Sequence, residues 1–177
     1  LSSSSAASDV YKRQVENKFK HLDEDIQEAL QSLFRKANES ITIYGFTLRA
    51  FSKRNKGIFS RDIISRQKNN IHIVVFGEGT ENFQVEFPAN RITRYEWVTK
   101  ENGRPGIDPK MKGDGNFHIK AVVIDKRYVY IGSANFSHTA FNWSAEWGIT
   151  IEGCEVANEL ERYGKYLIDE KMVEKKI

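Results

Sequence analysis

A histidine and a lysine two residues apart, His118 and Lys120, are the residues of this chain best suited to chemistry on an anion. They lie in an apolar, β-branched segment that predicts a strand, and residues two apart on a strand project from the same face. An imidazole can attack phosphorus, while a neighbouring ammonium can bind a non-bridging phosphate oxygen. The pair therefore predicts a site for a phosphoryl group.

A glycine and two polar residues follow the pair. Gly132 lets the backbone approach a ligand closely, and Ser133 and Asn135 offer uncharged hydrogen-bonding groups beside it. With Asp125 between them, these residues complete the spacing H-x-K-x(4)-D-x(6)-G-S-x-N, which resembles the signature motif of the phospholipase D superfamily. The resemblance implies one α/β domain, a mixed β-sheet flanked by helices in an α/β/α sandwich.

The resemblance also implies a role for each motif residue that would touch the substrate. His118 would be the nucleophile of a phosphodiesterase, forming a phosphohistidine intermediate. Lys120 and Asn135 would bind phosphate oxygens, with Ser133 as a nearby hydrogen-bonding support. No metal and no cofactor are implied, because lysine supplies the positive charge that a cation supplies elsewhere.

Two carboxylates complete the expected catalytic set. Glu146 stands at about the distance where the family has a carboxylate that orients the other nitrogen of the histidine and so fixes its tautomer. A glutamate beside Trp147 could instead be the solvated end of a strand. Asp125 is expected to serve structure, by hydrogen bonding around a hairpin turn.

The chain contains a single copy of the motif. In the superfamily a second motif histidine protonates the leaving oxygen, and small members bring it in by pairing two subunits about a twofold axis. The resemblance therefore implies a homodimer with both His118 residues in one site. A second copy in a lost upstream half of the protein is the alternative.

A basic segment, Arg49 to Lys68, contains seven lysines and arginines but only one acidic residue, Asp62. Such a run can be an ordinary solvated helix face. Its functional interpretation is a track for a nucleic-acid backbone, bound through phosphate contacts and counterion release. The candidate contacts for substrate in this segment are Arg54, Lys56 and Arg61.

Three functions are open for such a domain. The first is a metal-independent endonuclease acting on DNA or RNA, because the sequence from Gly132 to Trp147 looks like domains attached to restriction enzymes and helicases, which would then be partner domains. The second is a phospholipase or phosphatidyltransferase such as cardiolipin synthase. The third is a catalytically silent module that binds nucleic acid. The net charge of +3 does not choose among them.

Helices before, between and after apolar runs predict a layered α/β fold. The expected helices are Glu16–Asn38 and Glu155–Lys171, with a further one within Arg49–Asn70. Glycines, prolines and charged residues predict loops over Gly77–Asn90 and Lys100–Gly115. The expected strands are Ile41–Phe46, Ile71–Phe76, Arg91–Thr99, Phe117–Ile124, Tyr128–Ser133 and Trp147–Glu152.

Composition is that of one soluble domain, with 177 residues, 40% of them hydrophobic and 29% charged. The single cysteine, Cys154, excludes an intrachain disulfide. Apolar runs are strand-sized, so no membrane span and a cytoplasmic location are expected. Ser4 to Gln14 matches the translation of a transposase adapter used for sequencing libraries. Residues 1–14 are therefore expected to be a non-native leader, and residues 15–177 the catalytic domain.

Overall fold

Seven strands form one mixed sheet in the part of the chain that the computed structural model describes, residues 25–52, 57–66, 69–98 and 117–176. The strands are β1 Ser40–Gly45, β2 His72–Gly77, β3 Ile92–Trp97, β4 Lys120–Ile124, β5 Tyr128–Gly132, β6 Gly148–Glu152 and β7 Val173–Lys176. Their order across the sheet is β6-β5-β4-β1-β2-β3-β7. β1, β2 and β3 are parallel, and the other neighbouring pairs are antiparallel.

Helices cover both faces of this sheet. The α-helices are α1 Ile26–Lys36, α2 Ser60–Ser65, α3 His138–Trp143 and α4 Cys154–Asp169, and short 3-10 turns occur at Arg49–Phe51, Thr80–Asn82 and Ala89–Arg91. Leu30 of α1 belongs to the same buried cluster as Ile43 and Val122. Leu167 of α4 belongs to a second cluster with the intervening strand residues, such as Val123. Alternate strand residues thus face opposite helical layers, which confirms the α/β/α sandwich.

The four strand-end glycines Gly45, Gly77, Gly132 and Gly148 lie at one end of the sheet, here named the glycine end. Gly45 ends β1 and pairs with Lys120, the first residue of β4. Because β1 and β2 are parallel and β4 is antiparallel to them, the ends of the first two strands meet the beginning of the fourth. This end of the sheet carries the motif lysine.

The six strands that the sequence predicted are present to within a few residues of the predicted bounds, and the apolar runs of β1, β2 and β4 are largely buried in the sheet. The largest difference concerns β4, which begins at Lys120 rather than at Phe117, so that His118 precedes the ladder. The predicted helix over residues 16–38 is present as α1; its residues 16–24 lie outside the described residues, as does the predicted loop over residues 100–115.

Two elements were not predicted from the sequence. α3 is only six residues long, and the hydroxyl of Ser137 accepts the Ala140 N–H at its start, 3.2 Å away. β7 has the sequence VEKK, with only Val173 buried, which gives a weak strand pattern. Within the described ranges, none of the helices combines the length and apolar character that a bilayer crossing requires.

Candidate active site

The motif histidine and lysine contact each other at the glycine end. Lys120 Nζ lies 2.7 Å from His118 Nδ1 and donates a second hydrogen bond to the His118 carbonyl oxygen at 2.8 Å. The Lys120 side chain shares a face with Val122 and is only 4% exposed, whereas His118 is exposed. A buried cation thus lies directly behind an accessible imidazole, as the spacing of the two residues predicts.

Burial is the main influence on the charge of Lys120. It lowers the pKa of the Lys120 ammonium, because removal from water disfavours the charged form, and the Glu146 carboxylate partly opposes this by raising the pKa. When Lys120 is protonated, its ammonium can only donate, so Nδ1 of His118 must accept and Nε2 carries the ring proton. The ammonium therefore sets the tautomer of the imidazole in this geometry.

Glu146 is bound to Ser133, not directly to the imidazole as the resemblance implied. The Ser133 hydroxyl donates to Glu146 Oε2 at 2.5 Å and accepts the Trp147 N–H at 3.0 Å. The Ser133 N–H in turn donates to the Trp147 carbonyl oxygen at 2.9 Å. The difference arises because the Lys120 ammonium already occupies Nδ1 of His118. Glu146 is half-buried, so it is not a freely solvated strand end.

Gly132 was expected to let a ligand approach, but the structure gives a different reason for this glycine. A Cβ atom here would lie 2.3 Å from the Tyr130 hydroxyl oxygen and 2.6 Å from the Trp147 carbonyl oxygen. The Tyr130 ring, on the same strand face, therefore fills the space that a side chain would need. Burial, followed by the charge of Glu146, raises the pKa of Tyr130, which keeps the phenol neutral.

Asn135 lies after β5 and is half-buried. Its Oδ1 atom is buried and has no hydrogen-bond partner among the described residues, and the same holds for the Tyr130 hydroxyl. A buried amide oxygen without a donor is costly, by about 1–3 kcal/mol. The amide of Asn135 is thus a polar group that is not satisfied by this part of the chain.

Asp125 lies at the other end of β4, about 16 Å along the strand from Lys120 at the usual rise per residue. Its two carboxylate oxygens accept three backbone N–H groups where α1 leads into β1, those of Asn38, Glu39 and Ser40, at 2.8–2.9 Å. Asp125 also adopts a left-handed conformation, with φ of 51°. The structure therefore separates this motif carboxylate from the site. Its role is structural, but its hydrogen bonds hold the α1–β1 junction and not the hairpin turn, where they were expected.

Only some of the predicted basic contacts can be placed. Arg61 is exposed on α2, whereas Arg54 and Lys56 lie outside the described residues. Arg66, from the same basic segment, donates to the Ala37 carbonyl oxygen and to Asn38 Oδ1, so this arginine is committed to packing α2 against the end of α1. Among the described residues, no three acidic, histidine or cysteine side chains lie close enough to hold a metal ion.

Two residues at the site were not predicted from the sequence. The Phe46 ring, just after β1, lies 5.6 Å from the His118 ring between centroids. Glu78, just after β2, accepts the Phe117 N–H at Oε1, 2.7 Å away. The sequence signal that could have identified Phe46 and Glu78 is their position directly after parallel strands, because both strands finish at the glycine end of the sheet.

Comparison with known proteins agrees with the family resemblance and with the fold. The model of a family described as "Cardiolipin synthase, PLD-like domain" matches residues 30–168. No curated protein sequence matches the chain.

Several solved structures share the fold. NucT from Helicobacter pylori has 17% sequence identity and a TM-score of 0.59, covering 81% of this chain and 87% of that chain. Nuc from Salmonella typhimurium, a phospholipase D family member, has 16% identity and a TM-score of 0.57, covering 85% and 90%. Phosphatidylserine synthase from Haemophilus influenzae Rd KW20 has 13% identity and a TM-score of 0.59, but the match covers 88% of this chain and only 37% of that longer chain. The matched family model spans more than half of the sequence, and the chain therefore belongs to the family of phospholipase D-like domains.

Proposed function

We propose that this chain is a metal-independent endonuclease domain that cleaves phosphodiester bonds of DNA or RNA through a phosphohistidine on His118. The observation that carries the proposal is the contact of 2.7 Å between the buried Lys120 ammonium and the exposed imidazole. A cation held beside a nucleophile stabilises the charge that develops on phosphate oxygens as the nucleophile attacks.

The first step requires Lys120 to exchange acceptors. Before substrate arrives, its ammonium donates to the ring and to the carbonyl oxygen of His118. A non-bridging phosphate oxygen carries more negative charge than a neutral imidazole nitrogen, so it competes for the ammonium. Departure of the ammonium lets the imidazole change tautomer: Nε2 gives its proton to solvent, Nδ1 takes one from solvent, and Nε2 is left with a lone pair for attack.

Attack forms a bond between phosphorus and nitrogen and breaks the bond between phosphorus and the leaving oxygen. The leaving oxygen takes a proton from a second histidine. Water then gives a proton back to that histidine as its oxygen attacks phosphorus, and the phosphorus–nitrogen bond breaks, which releases a phosphomonoester and free His118. The side-chain NH2 group of Asn135 is the donor that we assign, with the Lys120 ammonium, to the phosphate oxygens. The Ser133–Glu146 pair lies beside them and keeps a negative charge near Lys120.

The second histidine is His118 of another copy of this chain in the proposed mechanism. A single motif copy supports this arrangement, since one chain offers one such histidine. Sedimentation at the concentration used for kinetics tests the arrangement: an active monomer would rule out the shared site, whereas activity that rises with dimer formation supports it.

A lipid substrate is the second candidate, favoured by the description of the matching family as a cardiolipin synthase domain. The nuclease is preferred because the basic segment provides cations for an extended polyanion, among them the exposed Arg61. A lipid headgroup presents only one or two phosphates to the protein.

An assay in EDTA separates these functions. Plasmid DNA, single-stranded DNA, RNA and phosphatidylglycerol vesicles are each incubated with the wild-type protein and with the His118→Ala variant. Cleavage of nucleic acid that the variant loses supports the nuclease. Headgroup release that the variant loses would favour the lipid enzyme, and retention of DNA without cleavage by either protein would favour a silent binding module.

A further inference from the structure

The backbone that carries His118 is held by a carboxylate from a distant part of the chain. Among the described residues, the ladder between β1 and β4 begins at the Gly45–Lys120 pair, so residues 117–119 lie outside it. The Phe117 N–H donates to Glu78 Oε1 at 2.7 Å. A bond between an N–H group and a carboxylate is charge-assisted and stronger than one between neutral groups.

The side chain of Phe117 reinforces the same anchor. It is 2% exposed and packs against Trp97 at the end of β3, with 5.5 Å between ring centroids. Phe117 is thus fixed on both its side chain and its amide, immediately before the exposed His118. The position of the His118 Cα atom therefore depends on contacts from β2 and β3, not on strand pairing of His118 itself.

The turn that carries Glu78 is itself fixed by a second carboxylate. Glu96 of β3 accepts the Gly79 N–H at 2.6 Å, the Thr80 N–H at 2.8 Å and the Thr80 hydroxyl at 2.5 Å. Three hydrogen bonds on one carboxylate leave this turn little freedom. Glu78 is therefore presented from a rigid support, which is what a group that positions another residue requires.

We propose that Glu78 is a positioning residue that holds His118 in line for attack on the phosphodiester, acting through the amide of Phe117. The inference rests on the proposed function and adds to it a residue outside the motif. The carboxylate acts through hydrogen bonding to the backbone and does not touch the reacting atoms. A neutral acceptor of the same shape can therefore replace it, whereas a side chain without an acceptor cannot.

The test compares Glu78→Ala with Glu78→Gln, which keeps an Oε1 acceptor but removes the charge. Glu81→Ala is the matched control, because Glu81 is an exposed carboxylate in the same turn. Each protein is assayed with bis(p-nitrophenyl) phosphate, which reports attack at phosphorus without a nucleic acid. The burst of p-nitrophenol counts the competent sites, so that a loss of folded protein is separated from a loss of rate per site.

Glu78→Ala is expected to lower kcat per competent site by about 10- to 100-fold, the usual effect of a small misplacement of a reacting group, with KM nearly unchanged. Glu78→Gln should recover most of the rate, and Glu81→Ala should behave as wild type. Amide hydrogen exchange at Phe117, measured by NMR, should speed up in Glu78→Ala alone. This last measurement needs no turnover and so stands even if the protein proves not to cleave nucleic acid.

The proposal is overturned if the rate per competent site is unchanged in Glu78→Ala, or if only the burst amplitude falls. It is also overturned if Phe117 exchange is the same in Glu78→Ala as in wild type. Cleavage of the small diester with no cleavage of DNA or RNA would contradict the proposed nuclease function. The role of Glu78 would still be tested by the rate per competent site and by Phe117 exchange.

Discussion

The carboxylate of Glu146 accepts a hydrogen bond from the hydroxyl of Ser133 at 2.5 Å, while Nδ1 of His118 faces the Lys120 ammonium. In the proposed mechanism Glu146 therefore influences His118 only indirectly, through its electrostatic effect on Lys120. The lysine is subject to two opposing influences, burial that lowers its pKa and the Glu146 carboxylate that raises it. This arrangement makes the pH dependence of the reaction a test of the role of Glu146.

The Glu146→Gln substitution should move the alkaline limb of the kcat/KM profile to lower pH. The proposed mechanism requires the Lys120 ammonium, which is present below the folded-state pKa and lost as the pH rises through it. Burial already places that pKa below the ordinary lysine value, and removal of the carboxylate lowers it further. The profiles of wild type and Glu146→Gln on a small diester measure the shift. An alkaline limb that stays in place, or moves to higher pH, contradicts this role of Glu146.

Asp125→Ala should lower the free energy of unfolding by about 2 kcal/mol, because three backbone N–H groups lose a charged acceptor. Alanine is also poorly suited to the left-handed conformation at this position. Asp125→Asn, which keeps one acceptor oxygen and tolerates that conformation, should lose less. Urea denaturation measures both variants. The rate per folded molecule should stay near wild type, and a selective loss of rate with normal stability would instead put Asp125 in the catalytic machinery.

Gly132→Ala should destabilise the protein by about 1–3 kcal/mol, the usual cost of overpacking, since the added methyl group would overlap the Tyr130 hydroxyl and the Trp147 carbonyl oxygen. Tyr130→Phe removes a buried hydroxyl that has no partner among the described residues, so alone it should be neutral or stabilising. The double variant should recover part of the loss, because the shortest of the three overlaps is gone, while those with the Trp147 carbonyl oxygen and the Tyr130 Cζ atom remain. Thermal unfolding of the three variants measures the coupling, and strictly additive effects would show that Tyr130 is not the obstacle.

Neutralising Arg54, Lys56 and Arg61 together should weaken DNA binding and reduce the dependence of log K on log salt concentration. Each lost phosphate contact is expected to change that slope by about 0.9 on double-stranded DNA. Fluorescence anisotropy over a salt series, with the His118→Ala background to prevent cleavage, gives both values. A triple variant of Lys165, Lys171 and Lys175, which removes the same charge elsewhere, is the control. If the slope of log K against log salt concentration is unchanged when Arg54, Lys56 and Arg61 are neutralised, the basic segment is an ordinary solvated surface.

The sheet and the proximity of His118 and Lys120 could be predicted from the sequence because the physical signals are local. Runs such as Ile71–Phe76 have the β-branched composition of buried strands, and the two-residue spacing of His118 and Lys120 survives even though β4 begins only at Lys120. The sequence assigned Asp125 to the hairpin turn. Its bonds to the α1–β1 junction could not be predicted, because their partners lie more than 80 residues away.

Other parts of the site could not be predicted, because they depend on contacts between distant segments. The hydrogen bond from the Phe117 N–H to Glu78 joins residues 39 apart, and neither segment has a sequence pattern that predicts it. The steric need for Gly132 follows from the rotamer of Tyr130 and the register with β6, neither of which can be read from composition. Likewise, Glu146 accepts a hydrogen bond from Ser133 and not from His118, whose Nδ1 already contacts the Lys120 ammonium.

The most direct test of the account is to trap the covalent intermediate. The protein is mixed with a single-stranded oligonucleotide in EDTA, quenched at alkaline pH to preserve a phosphorus–nitrogen bond, digested and mapped by mass spectrometry. The proposed mechanism predicts a phosphoryl group or a nucleotide, joined through its phosphorus, on the peptide that contains His118. This adduct should form within one turnover and be absent from His118→Ala. Cleavage of the oligonucleotide that proceeds at the wild-type rate in His118→Ala, or an adduct on another residue, would contradict it.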